Sequence, residues 1–113
     1  MENFEYIAKR TDELSAEEKS QVVDLFNRVF NRSESEENLI NKYSPPGFMT
    51  SFHGVLYCDH RIVGITTIIP FKYEFFGEVV TFGLVCDTMI DPNYRKNFFA
   101  LKLMFESAET LLK

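Results

Sequence analysis

The sequence predicts an α+β domain in which helices pack on a mainly antiparallel sheet. Three observations support this class: a short alternating segment followed by two capped helical patterns, a long region of strand-like sequence from Thr50 to Ile90, and a helical pattern at the end of the chain. The 113 residues predict a single domain spanning the whole chain. A hydrophobic content of 45% and a charged content of 26% are typical of a globular protein.

The first elements are a strand and a helix. Residues Phe4–Ala8 alternate between apolar and polar, which predicts a short half-buried strand. Ser15 is followed three residues later by Glu18, a capping box that predicts a helix start. Five apolar residues follow at helical spacing and are predicted to face the core. They are Val22, Leu25, Phe26, Val29 and Phe30.

A second helix is predicted by a repeated capping signature. Ser33 is followed three residues later by Glu36. This helix carries an apolar face made of Leu39, Ile40 and Tyr43. The run Pro45-Pro46-Gly47 is predicted to end it.

The segment after Thr50 reads as strands separated by turns. The predicted strands are Ser51–Tyr57, Ile62–Ile69, Lys72–Phe76, Val79–Phe82 and Leu84–Ile90. Cys58-Asp59-His60-Arg61 and Gly77-Glu78 are predicted turns. Pro70 is predicted to interrupt a strand, and Gly83 to mark a bulge. The final helix is predicted over about Phe98–Leu112.

Composition excludes several function classes. A net charge of −5 argues against a nucleic-acid-binding protein, which needs a basic face. Cys58, Cys86 and the two histidines lack the spacing of a metal site, so no metal is expected, and the cysteines are predicted to be buried reduced thiols. No apolar run reaches membrane-spanning length, and Met1–Glu5 does not open a signal peptide. We therefore expect a cytoplasmic protein without a membrane partner.

The most informative segment is Ile90–Leu101. An apolar strand ends at Asp91-Pro92, a basic turn follows, and a helix begins, so free backbone N–H groups and the helix dipole face any anion bound there. This segment resembles the acetyl-CoA pyrophosphate loop of the GNAT N-acetyltransferases. Arg95 matches the first position of the family motif and Ala100 the last, while Phe98 stands at its central glycine. The order of elements also resembles the first half of a GNAT domain.

The resemblance implies a site for acetyl-CoA as co-substrate. The pantetheine arm would bind the backbone of Thr88, Met89 and Ile90, as a neighbouring strand does. The pyrophosphate would meet a row of N–H groups, with charge from Arg95 or Lys96. These groups belong to Lys96, Asn97, Phe98, Phe99, Ala100 and Leu101. The reaction implied is acyl transfer to an amine whose identity the sequence does not reveal.

The resemblance covers only the N-terminal part of the family fold. The general acid and part of the acceptor site usually come from the second half, so no catalytic residue is assigned and the chain alone is expected to be inactive. The chain would also expose the edge of the Leu84–Ile90 strand. An apolar open edge invites self-association, so a homodimer is a further expectation.

Other interpretations remain open at this point. A non-catalytic GNAT-like module that binds itself or a protein partner is the main alternative, and a small-ligand binder with an aromatic pocket is another. For Asp87, one interpretation is a residue that binds an amine or acts as a base. The interpretation that we favour is a polar group with satisfied hydrogen bonds beside the Asp91–Pro92 turn. His53 is expected to be exposed or partly buried, and His60 to be a solvated turn residue. No motif for covalent catalysis is present.

Overall fold

The computed structural model describes residues 3–47, 49–94 and Glu106. In that part of the chain, four strands form one antiparallel sheet in the order β1-β2-β3-β4. The strands are β1 (Phe4–Arg10), β2 (Phe52–Cys58), β3 (Arg61–Phe75) and β4 (Glu78–Ile90). Two helices, α1 (Ala16–Phe30) and α2 (Glu36–Tyr43), connect β1 to β2. The predicted α+β class is confirmed.

Both helix starts follow the chemistry of their caps. The Ser15 side chain accepts a hydrogen bond from the Glu18 N–H, and the Glu18 carboxylate accepts one from the Ser15 N–H, as predicted for α1. The start predicted at Ser33 for α2 is wrong. Ser35 is the residue that caps this helix, because its hydroxyl accepts the Asn38 N–H.

The β3–β4 hairpin is longer and simpler than predicted. Pro70 does not interrupt β3 but pairs with Gly83 inside one continuous hairpin, and the turn is formed by Phe76 and Gly77. Proline is tolerated here because β2 ends opposite Ile68, so β3 has lost one of its two neighbours before Pro70. Two of the separately predicted strands are therefore merged into β3 and two into β4.

Two clusters of apolar side chains lie on opposite faces of the sheet. The larger lies beneath the helices and includes Val22, Leu25, Leu39, Tyr43, Val55, Ile65 and Met89. The smaller contains Leu56, Cys58 and Val63, against which Phe4, Tyr6, Ile90 and Tyr94 pack. Phe30 was predicted to be core but is 41% exposed at the last position of α1.

The last predicted helix falls almost wholly outside the described residues. Glu106 is helical, and the remainder of the predicted span is not described. Within the described ranges, neither helix is long and apolar enough to cross a membrane.

Candidate functional site

The candidate site is built around a bulge near the end of β4. Thr67 pairs with Cys86, and Ile65 pairs with Met89, so the two β4 residues between them, Asp87 and Thr88, face Thr66 alone. Asp87 has a φ of 50°, in the left-handed region that Asp tolerates better than most residues. A bulge of this kind bends a strand and changes the direction of the groups that follow it. The bulge predicted at Gly83 is thus wrong, and the bulge observed in β4 lies at Asp87.

Two donors from α2 hold the Asp87 side chain. Its Oδ2 atom accepts hydrogen bonds from Lys42 Nζ at 2.7 Å and from Tyr43 Oη at 2.9 Å. Burial, together with the negative charge of Asp87, raises the pKa of Tyr43, so its hydroxyl stays protonated and remains a donor. Asp87 is therefore a satisfied polar group, as favoured from the sequence, although its partners come from α2 and not from the Asp91–Pro92 turn.

The three β4 residues predicted to bind pantetheine follow the bulge directly. Met89 is 1% exposed and packs into the core beneath the helices, whereas Ile90 packs on the opposite face of the sheet. The Thr88 hydroxyl lies 2.8 Å from the Thr66 hydroxyl. Because these side chains are engaged within the fold, a ligand along β4 would meet mainly backbone atoms. β4 is the outermost strand of the described sheet, which suits such a ligand.

The chain then turns sharply at Asp91. The Asp91 N–H donates to the Val63 carbonyl at 2.8 Å, and its carboxylate accepts the Asn93 N–H at 3.0 Å and Arg28 Nη1 at 2.9 Å. Burial opposes ionisation, but these hydrogen bonds outweigh it and hold the pKa of Asp91 below its usual value. The turn is thereby fixed to both β3 and α1, and it sets the direction in which the chain leaves β4.

The phosphate-binding part of the prediction lies outside the described residues. Those positions are Arg95, Lys96, Asn97, Phe98, Phe99, Ala100 and Leu101. The structure therefore places Thr88, Met89 and Ile90 together at the end of β4, and describes the chain as far as Tyr94, immediately before Arg95.

A cleft of about 470 Å³ opens between the two helices and β4 beside Asp87. Its lining combines apolar and charged side chains, namely Phe26, Phe30, Arg32, Glu34, Asn38, Leu39, Lys42 and Asp87. Cys86 lies next to Asp87 in sequence, and burial with the nearby negative charge raises the pKa of its thiol. A protonated thiol is a poor nucleophile, so Cys86 offers no support for covalent catalysis.

His53 is more buried than the sequence predicts. It was expected to be exposed or partly buried, but it is 0% exposed. Its Nε2 lies 2.7 Å from Thr11 Oγ1 and its Nδ1 lies 3.0 Å from Thr67 Oγ1. The Tyr43 ring packs edge-on against it at 5.3 Å between centroids. The two hydroxyls satisfy both ring nitrogens, which makes burial of the histidine tolerable.

Sequence reasoning missed the partners of Asp87. Lys42 was not singled out, and Tyr43 was assigned only to the core. A polar residue next to a buried aromatic at the end of a helix is a weak signal, and nothing local links it to a carboxylate more than 40 residues away. The αL conformation of Asp87 likewise depends on pairing between strands.

Comparisons with known proteins agree with the fold. A family model described as an acetyltransferase (GNAT) domain matches residues 10–113. An aminoglycoside acetyltransferase from an uncultured soil metagenomic sample, crystallised with trehalose, is similar with a TM-score of 0.67 and 17% identity, over 96% of this chain and 68% of that one. A GNAT family acetyltransferase from Staphylococcus aureus gives a TM-score of 0.61 and 16% identity, over 94% of this chain and 79% of that one.

A longer protein shares the same fold. A probable N-acyltransferase from Enterococcus faecalis V583 gives a TM-score of 0.61 and 16% identity. The match covers 84% of this chain but only 23% of the E. faecalis chain. A search of curated proteins found no match. The structural likenesses concern the fold, whereas the family model spans nearly the whole sequence. The chain belongs to the GNAT acetyltransferase family.

Proposed function

We propose that this protein takes part in transferring an acyl group from acetyl-CoA to an amine. The observation that carries the proposal is the end of β4, where a bulge at Asp87 precedes the last segment of the outermost strand of the described sheet. The Asp91 turn follows, and the basic residues Arg95 and Lys96 come soon after it in the sequence. Pantetheine along Thr88–Ile90 and pyrophosphate at the following helix start would form one continuous binding track.

The chemistry proposed is direct attack of the amine on the thioester carbonyl. A base, acting directly or through water, would take the amine proton, and backbone N–H groups of β4 would polarise the carbonyl oxygen. We assign no catalytic residue within the described part of the chain. The proposal includes a site for the acceptor amine but does not identify that amine. The reduced thiols Cys58 and Cys86 suit a reducing compartment, and we place the reaction in the cytoplasm.

Calorimetry with acetyl-CoA tests the proposal. We expect measurable heat at millimolar ligand, and weaker binding for a variant carrying Arg95→Gln and Lys96→Gln, because the pyrophosphate loses charge-assisted contacts. Lys72→Gln removes an exposed lysine on the hairpin and serves as a charge control that should bind normally. Phe98→Gly removes the side chain at the position of the motif glycine and should increase affinity if that side chain crowds the ligand. Absence of heat from folded protein at millimolar acetyl-CoA would refute binding.

We propose, as a second function, self-association through the outer side of β4. The outer half of the β3–β4 hairpin exposes a row of large apolar side chains. Phe71 and Tyr73 lie on one face with Phe82, because Phe71 pairs with Phe82 and side chains alternate along each strand. Phe82 is 53% exposed and Tyr73 is 58% exposed. Exposed apolar surface of this extent is characteristic of an interaction site.

A second copy of this chain is the occupant that we propose for this surface. The large exposed side chains of the hairpin offer roughly 500–700 Å² of apolar area, estimated from typical aromatic side-chain areas. This approaches the roughly 800 Å² per partner of a standard interface. Two copies related by a twofold axis would present the same face and the same outer strand to each other.

A further inference from the structure

The side chain of Asp87 connects the β4 bulge to α2. Asp87 lies at the bulge with positive φ, and its Oδ2 accepts hydrogen bonds from Lys42 Nζ and Tyr43 Oη. These donors are consecutive residues in the last turn of α2. The side chain of Asp87 therefore joins the end of α2 to the point at which β4 changes direction.

The end of α2 is itself held firmly. Tyr43 is 0% exposed, and its backbone carbonyl accepts a hydrogen bond from the Ser51 N–H at 2.8 Å. Its ring packs edge-on against His53, which the hydroxyls of Thr11 and Thr67 hold from both sides. Tyr43 thus reaches Asp87 from a rigid, fully buried position, and it can act as a fixed reference for the bulge.

A positive φ alone does not explain this arrangement. Glycine adopts that conformation at lower cost than any other residue, so a bulge that needed only backbone freedom would be best served by Gly. The Asp87 carboxylate adds two charge-assisted or phenolic hydrogen bonds that glycine cannot make. What the side chain contributes is a specified position of the bulge relative to α2.

We propose that Asp87, held by Tyr43 and Lys42, is a positioning residue for acyl-CoA. It sets the direction of the backbone groups of 88–90 that receive the pantetheine and thioester end of the ligand. This inference rests on the proposed function. It also predicts that the α2 contact acts on that end of the ligand and leaves the nucleotide end unaffected, because the proposed function assigns the nucleotide end to residues that follow Tyr94 in the sequence.

Two calorimetric titrations test the proposal, one with acetyl-CoA and one with ADP, which carries a pyrophosphate without pantetheine. Asp87→Gly keeps the backbone freedom but loses the side chain, and Tyr43→Phe loses only the hydroxyl. We expect both variants to bind acetyl-CoA about tenfold more weakly, as for loss of a hydrogen bond to a charged group, and ADP unchanged. Asp87→Asn keeps an acceptor and should stay within about threefold of the wild type.

Two further variants test whether weaker binding comes from loss of any tyrosine hydroxyl or from a disturbed core. Tyr57→Phe also removes a tyrosine hydroxyl that donates to a carboxylate, that of Glu18, but Tyr57 lies on β2, which does not pair with β4, and the variant should leave acetyl-CoA binding unchanged. Lys42 has a side chain that is 47% exposed, so Lys42→Gln can be made without disturbing the core and should weaken acetyl-CoA binding by about threefold. Urea unfolding of each variant confirms that it is folded.

The outcomes separate this inference from the proposed function. If the wild type binds acetyl-CoA and the Asp87→Gly and Tyr43→Phe variants bind it equally well, the positioning role is wrong while the proposed function stands. The positioning role is also wrong if these variants lose acetyl-CoA and ADP binding in parallel. If the folded wild type does not bind acetyl-CoA, the proposed function fails and the inference fails with it.

Discussion

At the scale of single residues, His53 shows how burial changes the chemistry of a side chain. It is 0% exposed, and both ring nitrogens have hydroxyl partners. Burial disfavours the charged imidazolium and lowers the pKa of His53 to about 4 from its ordinary 6.5. The folded protein therefore keeps this histidine neutral at pH values where the unfolded chain protonates it.

This difference predicts a pH dependence of stability. Between about pH 6.5 and pH 4 the unfolded state binds a proton that the folded state does not, so the free energy of unfolding falls as pH falls through this window. The pKa difference corresponds to roughly 3 kcal/mol, complete near pH 4. Urea unfolding at several pH values measures it. His53→Gln should lose this slope, whereas a slope unchanged in that variant would contradict the assignment.

Glu18 gives a second window that does not coincide with that of His53. Burial would raise its pKa, but the Ser15 N–H, the Tyr57 hydroxyl and Lys9 Nζ all donate to its carboxylate and together lower the pKa to about 2. Its stabilising contribution is present above about pH 4.5 and is lost as pH falls toward 2. Stability lost between pH 6.5 and 4.5 therefore reports mainly on His53.

At the scale of elements, the two hairpin turns use backbone conformations that favour glycine. Asp59 and His60 connect β2 to β3 with φ values of 50° and 68°, and Phe76 and Gly77 connect β3 to β4 with values of 51° and 82°. Two consecutive residues with positive φ are typical of a type I′ turn, which suits the right-handed twist of hairpin strands. In each turn, at least one residue carries a side chain at a position where Gly or Asn is preferred.

His60→Gly is therefore expected to stabilise the protein. The change produces Asp-Gly, a preferred sequence for this turn, and removes the strain of a histidine in the left-handed region, with a gain of about 0.5–1 kcal/mol after the entropy cost of glycine. Urea unfolding near neutral pH measures the change. Thr81→Gly, inside β4, is the control and should destabilise. A loss of stability in His60→Gly would show that the His60 side chain makes a contribution larger than its backbone strain.

Local sequence patterns predict some features of the helices and strands but not those that depend on a neighbouring strand. The capping box at Ser15 predicts the start of α1 correctly because both of its hydrogen bonds lie within four residues. Pro70 misled the strand assignment because its effect depends on where β2 ends, which is a property of the neighbouring strand. The bulge was misplaced at Gly83 for a related reason. Its position follows from the register between β3 and β4.

At the scale of the whole molecule, the exposed apolar side chains of the β3–β4 hairpin predict a dimer in solution. Phe82→Lys places a charge at the centre of the proposed interface and should weaken dimerisation more than tenfold. The neighbouring Thr81 is also exposed but points to the opposite face, so Thr81→Lys adds the same charge and should leave the dimer intact. Sedimentation velocity across a concentration series measures both.

Two results would contradict the dimer. One is a wild-type protein that sediments as a monomer at high concentration. The other is equal weakening by Phe82→Lys and Thr81→Lys, which would point to net charge and not to the apolar face as the cause. Because Phe82 lies five residues before Asp87 along β4, acetyl-CoA binding by Phe82→Lys can be measured separately and should be retained.

The sequence by itself determined the α+β class, the order of elements through β4, the start of α1 and the family. These depend on periodicity, on capping within a few residues and on a short motif at Ile90–Leu101. Only the tertiary structure decided the position of the bulge at Asp87, the hydrogen bonds from Lys42 and Tyr43 to Asp87, and the burial of His53 between Thr11 and Thr67. Each of these joins residues 14 to 45 positions apart. Such contacts arise from strand register and helix packing, which no local pattern specifies.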